Sequence, residues 1–471
     1  MIAARAVVER ALEGDEAVYG INTGFGHLAH VRIEHDKLAR LQGNLIRSHA
    51  VGVGRPFDKE TSRGILLLRA AVVAKGQSGV RPEVADSLLD CLNADLIPVI
   101  PRQGSVGASG DLAPLAHLVL AMMGTEGGLF WDGDGSIDAA EALAKAKIAP
   151  LRLEAKEGLS LINGTQAMTA LGVRALLRAE YLACAADLAA AMTVEASLAS
   201  HRPFDARLHA LRPHPGQEAC AANMRAILDG SSIVGSHEDC DKVQDPYSMR
   251  CVPQVHGAAR DLIAHTRRVL EVEINSVTDN PTVFDNGDII SGGNFHGEPV
   301  AMAMDVLTLA VHELGSISER RMEQLVNPNQ SHLPAFLAPT PGLDSGLMMA
   351  QVTAAALVSE NRGLCLPASA DSIPTSALQE DHVSMGPIAA RKSWAVVENV
   401  EHILAIEFLA AAQALEHRRP LTSSPVVEQA HALIRTKVPA LTEDVVLAPL
   451  MASIVDLIRT QQIVAPYPPS I

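Results

Sequence analysis

Three small residues, Ala108, Ser109 and Gly110, follow a glycine-rich loop and precede a predicted helix. No side chain hinders the nitrogen of Gly110, so in a tightly bent backbone it could attack the carbonyl carbon of Ala108. Loss of two waters would then leave an imidazolone conjugated to an exocyclic alkene, which is a strong electrophile. The helix dipole would favour negative charge developing on that ring. Without this chemistry the segment is an ordinary flexible loop, with Asp111 and Pro114 beginning a helix.

Three other patterns are weaker candidates for chemistry. The run Gly24-Phe-Gly26-His-Leu-Ala29 superficially fits a dinucleotide-binding fingerprint, but no strand–helix–strand pattern follows it. Ser109 is not the nucleophile of a G-x-S-x-G elbow, because Asp111 stands where glycine is required. Residues 237–240 (His, Glu, Asp, Cys) have no second cluster with ligand spacing, so we interpret them as a solvated loop and expect no metal.

Long helices must position the conspicuous polar residues. Apolar residues recur at helical spacing over five stretches, namely 164–200, 254–276, 299–325, 345–361 and 387–416. Polar or glycine-rich connections lie between them at 240–250, 278–298 and 366–386. Residues 125–150 resemble a surface hairpin. We therefore predict a long-helix bundle whose function lies in its loops.

Composition excludes several classes of protein. The 471 residues include 38 Lys plus Arg and 54 Asp plus Glu, and the net charge of −16 argues against a nucleic-acid surface. Apolar residues reach 48%, which is too many for a disordered chain. Aromatic residues reach only 3%, so Ala, Leu and Val must fill a core in which helices pack closely.

The cysteines and the N-terminus bear on the compartment. The six cysteines are scattered without a C-x-x-C pair, which favours a reduced chain over a disulfide framework. The N-terminal apolar run contains Arg5 and Glu9 and is not typical of a signal peptide. We expect no apolar stretch long enough to span a bilayer. These features predict a soluble, cytoplasmic protein that binds neither nucleic acid nor membrane.

Several motifs, in order along nearly the whole chain, resemble those of the aromatic amino acid ammonia-lyase family. The segment around Ala108-Ser109-Gly110 is similar to the family's active-site loop, whose Ala-Ser-Gly cyclises to 4-methylidene-imidazol-5-one (MIO). The five further matches are Tyr19-Gly-Ile-Asn-Thr-Gly-Phe-Gly26, Gly158-Leu-Ser-Leu-Ile-Asn163-Gly-Thr-Gln166, Val243-Gln244-Asp-Pro-Tyr247-Ser-Met-Arg250-Cys251, Gly293-Asn294-Phe295-His296-Gly-Glu-Pro299 and Gln379-Glu380-Asp381-His382-Val-Ser-Met385.

The resemblance implies a catalytic role for some matching residues. Ala108, Ser109 and Gly110 would form MIO, which bonds to the substrate amine, and no external cofactor would be needed. Tyr19 would be the general base for the β-proton, which requires a lowered phenol pKa. Tyr247 would act beside the prosthetic ring. The ordinary alternative for Tyr19 is a packing anchor under a turn.

The resemblance also implies substrate contacts. Arg250 would bind the substrate carboxylate through its bidentate fork, although a surface ion pair is the commoner fate of arginine. Asn163 and Tyr247 would hydrogen-bond the substrate carboxylate or amine and the prosthetic ring. Gln244 would be a supporting contact, and Phe295 would form a pocket wall. The Asp279-Asn-Pro281 turn is expected to be structural.

Two recognition positions favour histidine as the substrate. His49 and Glu380 match the side-chain recognition residues of histidine-specific family members. Phenylalanine-specific members have an apolar pair at 48–49 and usually Gln at 380, and tyrosine-specific members typically have His-Leu at 48–49. A buried carboxylate facing a benzene ring would be unpaired, at a cost on the order of a few kcal/mol. The expected products are trans-urocanate and ammonia, in the first step of histidine degradation. The alternatives are a tyrosine or phenylalanine ammonia-lyase, an MIO aminomutase, or a catalytically silent helical homologue.

The resemblance finally implies an architecture. The fold would be mainly α, a long-helix bundle with a fumarase/aspartase-like superhelical core and a smaller mixed N-terminal region. We expect an N-terminal part at 1–150 carrying the Tyr19 and MIO loops, a central bundle at 151–420 and a C-terminal helical segment at 421–471. Family members are homotetramers whose active sites combine three subunits, so the expected partners are a small amino acid substrate and other copies of the chain.

Overall fold

Four long helices dominate the chain, and each coincides with a stretch where apolar residues recur at helical spacing. The computed structural model describes residues 1–237 and 243–463. In it the four helices span Gln166–Ala196, Val252–Glu273, Glu298–Val326 and Gly386–Glu416. The prediction of a mainly helical chain with long helices is confirmed.

The described chain divides into two compact units. Unit 1 comprises residues 1–174, 268–305 and 367–391, and unit 2 comprises the described residues of 175–267, 306–366 and 392–471. Each unit therefore collects three separate segments. The division at residues 150 and 420 expected from the sequence follows chain order instead, and it stays a prediction.

Short helices and small antiparallel sheets build most of unit 1. Its helices are Ile2–Glu13, Leu38–His49, Lys59–Ala74, Pro82–Asn93, Leu112–Met122, Ala139–Ala146 and Glu157–Ile162, with single turns at Gly26–Leu28, His35–Lys37 and Ser376–Leu378. Its strand pairs are Val53–Pro56 with Pro101–Gln103, Leu129–Asp132 with Gly135–Asp138, and Thr282–Val283 with Ile289–Ile290. The second pair is the hairpin expected within residues 125–150.

Unit 2 is a bundle whose core is built from small side chains. Its shorter helices are Ala206–Ala210, Pro215–Leu228, Ser232–Gly235, Tyr247–Arg250, Pro328–Ser331, Met348–Leu364, Pro425–Arg435 and Ala448–Arg459, with single turns at Arg202–Phe204 and Ala335–Leu337. Runs of alanine at 189–191 and 410–412 are fully buried. A Cβ on Gly315 would lie 2.9 Å from Cγ2 of Val400, so these helices approach closely only because glycine stands there. The low aromatic content is thus matched by close helix packing.

One helix corrects an expectation about membranes. Glu298–Val326 is long and apolar enough to cross a bilayer by length and composition, so the expectation that no stretch has this length is wrong. However, 61% of its most apolar 18-residue window is buried in the protein. A buried core helix needs the same apolar composition, so these two properties alone do not indicate a membrane span.

A buried ion pair joins three long helices within unit 2. Glu407 and Arg321 are both fully buried, and the Arg321 guanidinium donates to the two carboxylate oxygens at 2.5 and 2.8 Å. The hydroxyls of Ser318 and Thr193 also donate to Glu407, at 2.6 and 2.8 Å. This carboxylate therefore accepts four hydrogen bonds, which offset its loss of hydration.

A second buried carboxylate, Asp187, lies in the same unit. It accepts from Arg260 at 2.6 Å, His256 at 2.7 Å and Asn223 at 2.9 Å. Although burial alone would raise it, the pKa of Asp187 lies well below its usual range because Arg260 and His256 face it. Cys220 completes a group that could geometrically hold a metal ion. The adjacent Arg260 guanidinium opposes a second cation there, so we interpret the group as structural.

In unit 1, Asp111 ties the loop that ends at Gly110 to the start of helix Gln166–Ala196. Its Oδ2 accepts a hydrogen bond from the Met168 backbone N–H at 2.8 Å. Free N–H groups in the first turn of a helix favour a carboxylate at this place. Burial nevertheless raises the pKa of Asp111 to about 7.

Replacing Glu407 by Ala should strongly destabilise the protein. The Arg321 guanidinium would remain buried without its counter-ion, which typically costs about 3–5 kcal/mol. We expect the midpoint of thermal unfolding to fall by several degrees. As a control, Arg207→Ala removes an arginine whose side chain is 92% exposed, and it should leave the midpoint unchanged. Equal midpoints for both variants would contradict a stabilising role for the buried pair.

Replacing Asp111 by Asn tests the buried carboxyl through pH. The folded pKa of about 7 lies above the ordinary value of 3.8, so between these values the folded state holds a proton that the unfolded state has released. Stability from this group therefore falls as pH rises through that window. The Asn variant has no such proton. We expect its thermal midpoint, relative to wild type, to increase from about pH 4 to pH 7 and then level off; a flat difference would contradict the raised pKa.

Candidate active site

A cavity of about 990 Å³ in unit 1 brings together residues singled out from the sequence. Seven of them line it, namely Tyr19, His49, Ala108, Ser109, Asn163, Phe295 and Glu380. Gly110 adjoins Ser109 in the chain. A volume of this size suits a small-molecule ligand.

The loop that ends at Gly110 is tightly bent. Ser109 has φ of +52° and Gly110 has φ of +79°, both in the left-handed region that favours glycine. The Gly110 N–H donates to the Gly107 carbonyl at 3.3 Å. A Cβ on Gly110 would lie 2.1 Å from the carbonyl oxygen of Gly164, so only glycine fits there. The backbone is thus sharply bent at these residues, and no side chain at Gly110 hinders its nitrogen, which favours the proposed cyclisation.

Tyr19 lies in a turn that glycine makes possible. Gly20 has φ of +76°, and a Cβ there would lie 2.9 Å from the side chains of Leu159 and Pro281. Burial raises the pKa of Tyr19, a backbone hydrogen bond from Gly26 lowers it, and the charge of Glu380 raises it. The net direction within unit 1 is upward, which is opposite to what a general base at neutral pH requires.

His49 is held as one neutral tautomer at the end of helix Leu38–His49. Its Nδ1 lies 2.8 Å from the Leu45 carbonyl oxygen, which can only accept, so the proton is assigned to Nδ1. Burial lowers the pKa of His49. The other nitrogen, Nε2, is therefore a hydrogen-bond acceptor in a residue that lines the cavity.

Glu380 is oriented by a sharp turn. Residues 376–378 have φ of +50°, +53° and +69°, and this left-handed stretch returns the chain to Thr375. The Thr375 hydroxyl donates to Oε2 of Glu380 at 2.7 Å. The Ser109 hydroxyl lies 3.4 Å from Oε1, so the carboxylate adjoins the bent loop.

Asn163 is buried beside the same loop, with its side-chain amide held in one orientation. Its Nδ2 donates to the Asn280 carbonyl at 3.0 Å, which identifies the other amide atom as oxygen. That Oδ1 is buried and has no hydrogen-bond partner among residues 1–237 and 243–463. A buried acceptor without a partner is costly, so it suits a donor group on a ligand.

Three predicted site residues belong to unit 2 and do not line the cavity of unit 1. Gln244 and Arg250 line a separate cavity of about 500 Å³ within unit 2. Tyr247 is 71% exposed, and its ring lies 4.6 Å from the Arg250 guanidinium carbon. The Arg250 Nε is buried and has no hydrogen-bond partner in the described part of the chain.

Two residues that act on the site were not identified from the sequence. Asn280, in the turn expected to be only structural, fixes the Asn163 amide and lines the cavity. Thr375 fixes the carboxylate of Glu380. The Asn280 turn was at least visible as a pattern, whereas no local signal marks Thr375, because its contact depends on the left-handed stretch that follows it.

The candidate metal group beside the cavity is not a convincing ligand set. His296, Glu298 and His382 lie close enough together to hold an ion. However, Nδ1 of His296 accepts from the Glu298 N–H at 3.3 Å, and its Nε2 lies 3.2 Å from the His382 carbonyl, so both nitrogens are engaged. The other group considered from the sequence, at 237–240, falls mostly at residues 238–242, outside the described residues.

Known proteins resemble the chain over almost its whole length. A family model described as aromatic amino acid lyase matches residues 1–436. The histidine ammonia-lyase of Anaeromyxobacter sp. (strain K) is 58% identical over 449 residues, which cover 93% of this chain and 88% of the relative.

Solved structures agree in fold. The histidine ammonia-lyase from Trypanosoma cruzi has a TM-score of 0.92 and 46% identity, covering 100% of this chain and 89% of that one. A tyrosine aminomutase from Streptomyces globisporus has a TM-score of 0.93 and 38% identity, covering 98% and 91%. The chain therefore belongs to the aromatic amino acid lyase family, a family of carbon–nitrogen lyases.

Proposed function

We propose that the chain is a histidine ammonia-lyase, which eliminates ammonia from L-histidine without oxidation and releases trans-urocanate, in the first step of histidine degradation. The observation that carries this proposal is the presence of two hydrogen-bond acceptors, His49 and Glu380, in one cavity with the bent loop of Ala108, Ser109 and Gly110. The relatives from Anaeromyxobacter and Trypanosoma cruzi, both named for this activity, support it.

The loop residues fit the prosthetic group of the family. Ala108, Ser109 and Gly110 have the bend and the small side chains that cyclisation to MIO needs. Once formed, MIO supplies an electrophile for the substrate amine, which is otherwise a poor leaving group. All of its atoms come from the chain, so no external cofactor is required.

The two acceptors suit an imidazole ring. Nε2 of neutral His49 and the carboxylate of Glu380 can each accept one N–H. An imidazolium offers two N–H donors and a positive charge, a tyrosine side chain offers one O–H, and a phenyl ring offers none. A charge-assisted contact with Glu380 therefore favours histidine bound as the imidazolium. The same positive charge draws electrons from the side chain and makes the β-proton more acidic.

Asn163 and Phe295 complete the part of the substrate site that unit 1 provides. The unpartnered Oδ1 of Asn163 accepts a hydrogen bond from the substrate amine. Phe295 forms an apolar wall of the cavity. The amine is thereby directed toward the loop at Ser109.

Tyr19 takes the β-proton, and this role depends on positive charge from outside unit 1. Burial and Glu380 raise the pKa of its phenol. A substrate imidazolium neutralises the field of Glu380, and an arginine nearby stabilises the phenolate further. We assign that second contribution to Arg250 of another copy of the chain.

Arg250, Tyr247 and Gln244 act on the cavity of another copy in a homotetramer. The exposure of Tyr247, at 71%, and of Val243, at 95%, is consistent with a surface that another subunit covers. Arg250 then binds the substrate carboxylate, Gln244 supports that contact, and Tyr247 acts beside the ring. We further propose a soluble, cytoplasmic enzyme whose other partner is the amino acid substrate.

Incubation with histidine, tyrosine and phenylalanine separately tests the substrate. Ultraviolet absorbance should show urocanate from histidine, and Ser109→Ala should abolish it because MIO cannot form. Coumarate or cinnamate without urocanate would contradict the proposal and favour a tyrosine or phenylalanine lyase. A β-amino acid as the main product would favour the aminomutase that the Streptomyces relative suggests.

Glu380→Gln tests recognition of the imidazolium. Loss of a charged hydrogen bond should lower kcat/KM for histidine roughly 10- to 100-fold, with a smaller effect on phenylalanine. Glu141→Gln, on an exposed helix face, is the matched control and should leave kcat/KM unchanged. Equal losses of kcat/KM for histidine and phenylalanine would show that Glu380 does not distinguish an imidazole ring from a phenyl ring.

Tyr19→Phe tests the base, since it removes only the hydroxyl. We expect kcat to fall roughly 10²- to 10⁴-fold with little change in KM, because general base catalysis contributes about that much. The mass of the Ala108–Gly110 peptide should be the same as in wild type. Glu141→Gln again serves as the control and should leave kcat unchanged. Unchanged turnover in the Tyr19 variant would assign the base to another residue.

A further inference from the structure

Residues 163–164 act as a template for the bent loop. The Asp111 N–H donates to the Gly164 carbonyl at 2.7 Å, and the Gly164 N–H donates to the Ser109 carbonyl at 3.3 Å. These two bonds lie on either side of Gly110, whose Cα approaches the Gly164 carbonyl too closely for any side chain. The shape of the loop therefore depends on where residues 163–164 are held.

Arg69 holds that template from the side of helix Lys59–Ala74. Its Nη1 donates to the Asn163 carbonyl at 2.7 Å, and the whole side chain is buried. The Asn163 amide is held separately by Asn280. Arg69 thus fixes the backbone of the template at the carbonyl of Asn163, which belongs to the same peptide unit as the Gly164 N–H.

Burying a charged side chain in the surroundings of Arg69 has a high free-energy cost, which a residue that only filled space would not need to incur. Its Nε and Nη2 are buried without a hydrogen-bond partner in the described chain. Lys156, also fully buried, is the cation paired with Asp279, at 3.3 Å, and Arg69 has no direct contact with that carboxylate among the described ion pairs. Burial lowers the pKa of Arg69 to about 10, although Asp279 opposes that change. A Met or Leu would pack here without this cost, which indicates that the guanidinium has a specific task.

We propose that Arg69 is a positioning residue for the cyclisation of Ala108-Ser109-Gly110, because its hydrogen bond to Asn163 keeps residues 163–164 against the loop. The inference rests on the proposed function only in taking MIO to form from these three residues. It does not depend on which amino acid is the substrate.

The cyclisation that Arg69 assists releases two waters and needs no oxidant. The nitrogen of Gly110 bonds to the carbonyl carbon of Ala108. The first water carries away the Ala108 oxygen with the amide hydrogens of Gly110 and Ser109. The second carries away the Ser109 hydroxyl with its Cα hydrogen. An amide nitrogen is a weak nucleophile, so close and sustained approach decides the rate, and a displacement of about 1 Å can cost on the order of 100-fold.

Arg69→Met tests the proposal, with the mass of newly made protein as the readout. After a pulse of synthesis, the peptide that contains residues 108–110 is followed by mass spectrometry as it becomes two waters lighter. We expect the variant to cyclise roughly 10- to 100-fold more slowly while folded. The far-ultraviolet circular dichroism of the variant should match that of wild type throughout the delay, which a general structural defect would not allow.

Two further variants make every outcome informative. Arg63 lies on the same helix, but its side chain is 42% exposed and is paired with Asp95. The Arg63→Met variant should therefore cyclise at the wild-type rate. If the Met variant does not fold, Arg69→Lys replaces it in the test. Lysine keeps the buried charge but is shorter, so this variant should fold and still cyclise more slowly than wild type. A folded Arg69 variant that cyclises at the wild-type rate would overturn this inference. A wild-type chain that never loses two waters would instead overturn the proposal that MIO forms.

Discussion

The contact between Gly110 and Gly164 is the constraint on which the rest of unit 1 depends. Two backbone hydrogen bonds join the strand-like segment 163–164 to the loop, at 2.7 and 3.3 Å, and neither glycine has room for a side chain. On the side of the loop, Asp111 follows Gly110 and accepts a hydrogen bond from the first turn of helix Gln166–Ala196. The template side is held by Arg69 and Asn280. A helix start, a buried guanidinium and a loop turn thus converge on one pair of glycines.

The buried carboxylates of unit 2 and the polar groups around the cavity of unit 1 differ in how their hydrogen bonds are satisfied. In unit 2, the buried carboxylates of Glu407 and Asp187 are each surrounded by hydrogen-bond donors. In unit 1, several polar atoms near the cavity have no partner in the described chain, including Oδ1 of Asn163 and two nitrogens of Arg69. A stable helical scaffold satisfies its polar groups internally, whereas a site leaves some of them for a ligand. Buried polar atoms without a partner occur in both units of the described chain, and Oδ1 of Asn163 is one that belongs to a residue lining the cavity and is available to a ligand.

Much of this could be predicted from the sequence, for identifiable reasons. The long helices follow from apolar periodicity, and the small-residue core follows from the scarcity of aromatic side chains. The loop of Ala108 to Gly110 was recognisable because cyclisation needs those residue types in that order. Other features depend on distant segments meeting. Thr375 contacts Glu380 only because residues 376–378 turn left-handed, and Arg69 reaches Asn163 from 94 positions away in the chain. The direction of the Tyr19 pKa was also unpredictable, because it results from burial in the folded unit.

The roles proposed for residues of the two units imply two separate time scales for becoming active. Every residue argued to shape the Ala108–Gly110 loop lies in unit 1, so the proposed cyclisation would be an intramolecular process whose rate is independent of protein concentration. The exposed Tyr247 and its neighbour Arg250 lie in unit 2 and are proposed to serve another copy, so turnover requires encounter between chains. If MIO forms and copies of the chain assemble as proposed, a newly made chain would carry a finished electrophile before Tyr19 is activated as a base. Such a chain would hold its most reactive group in a cavity where β-proton removal is still slow, which would limit unproductive chemistry until assembly is complete.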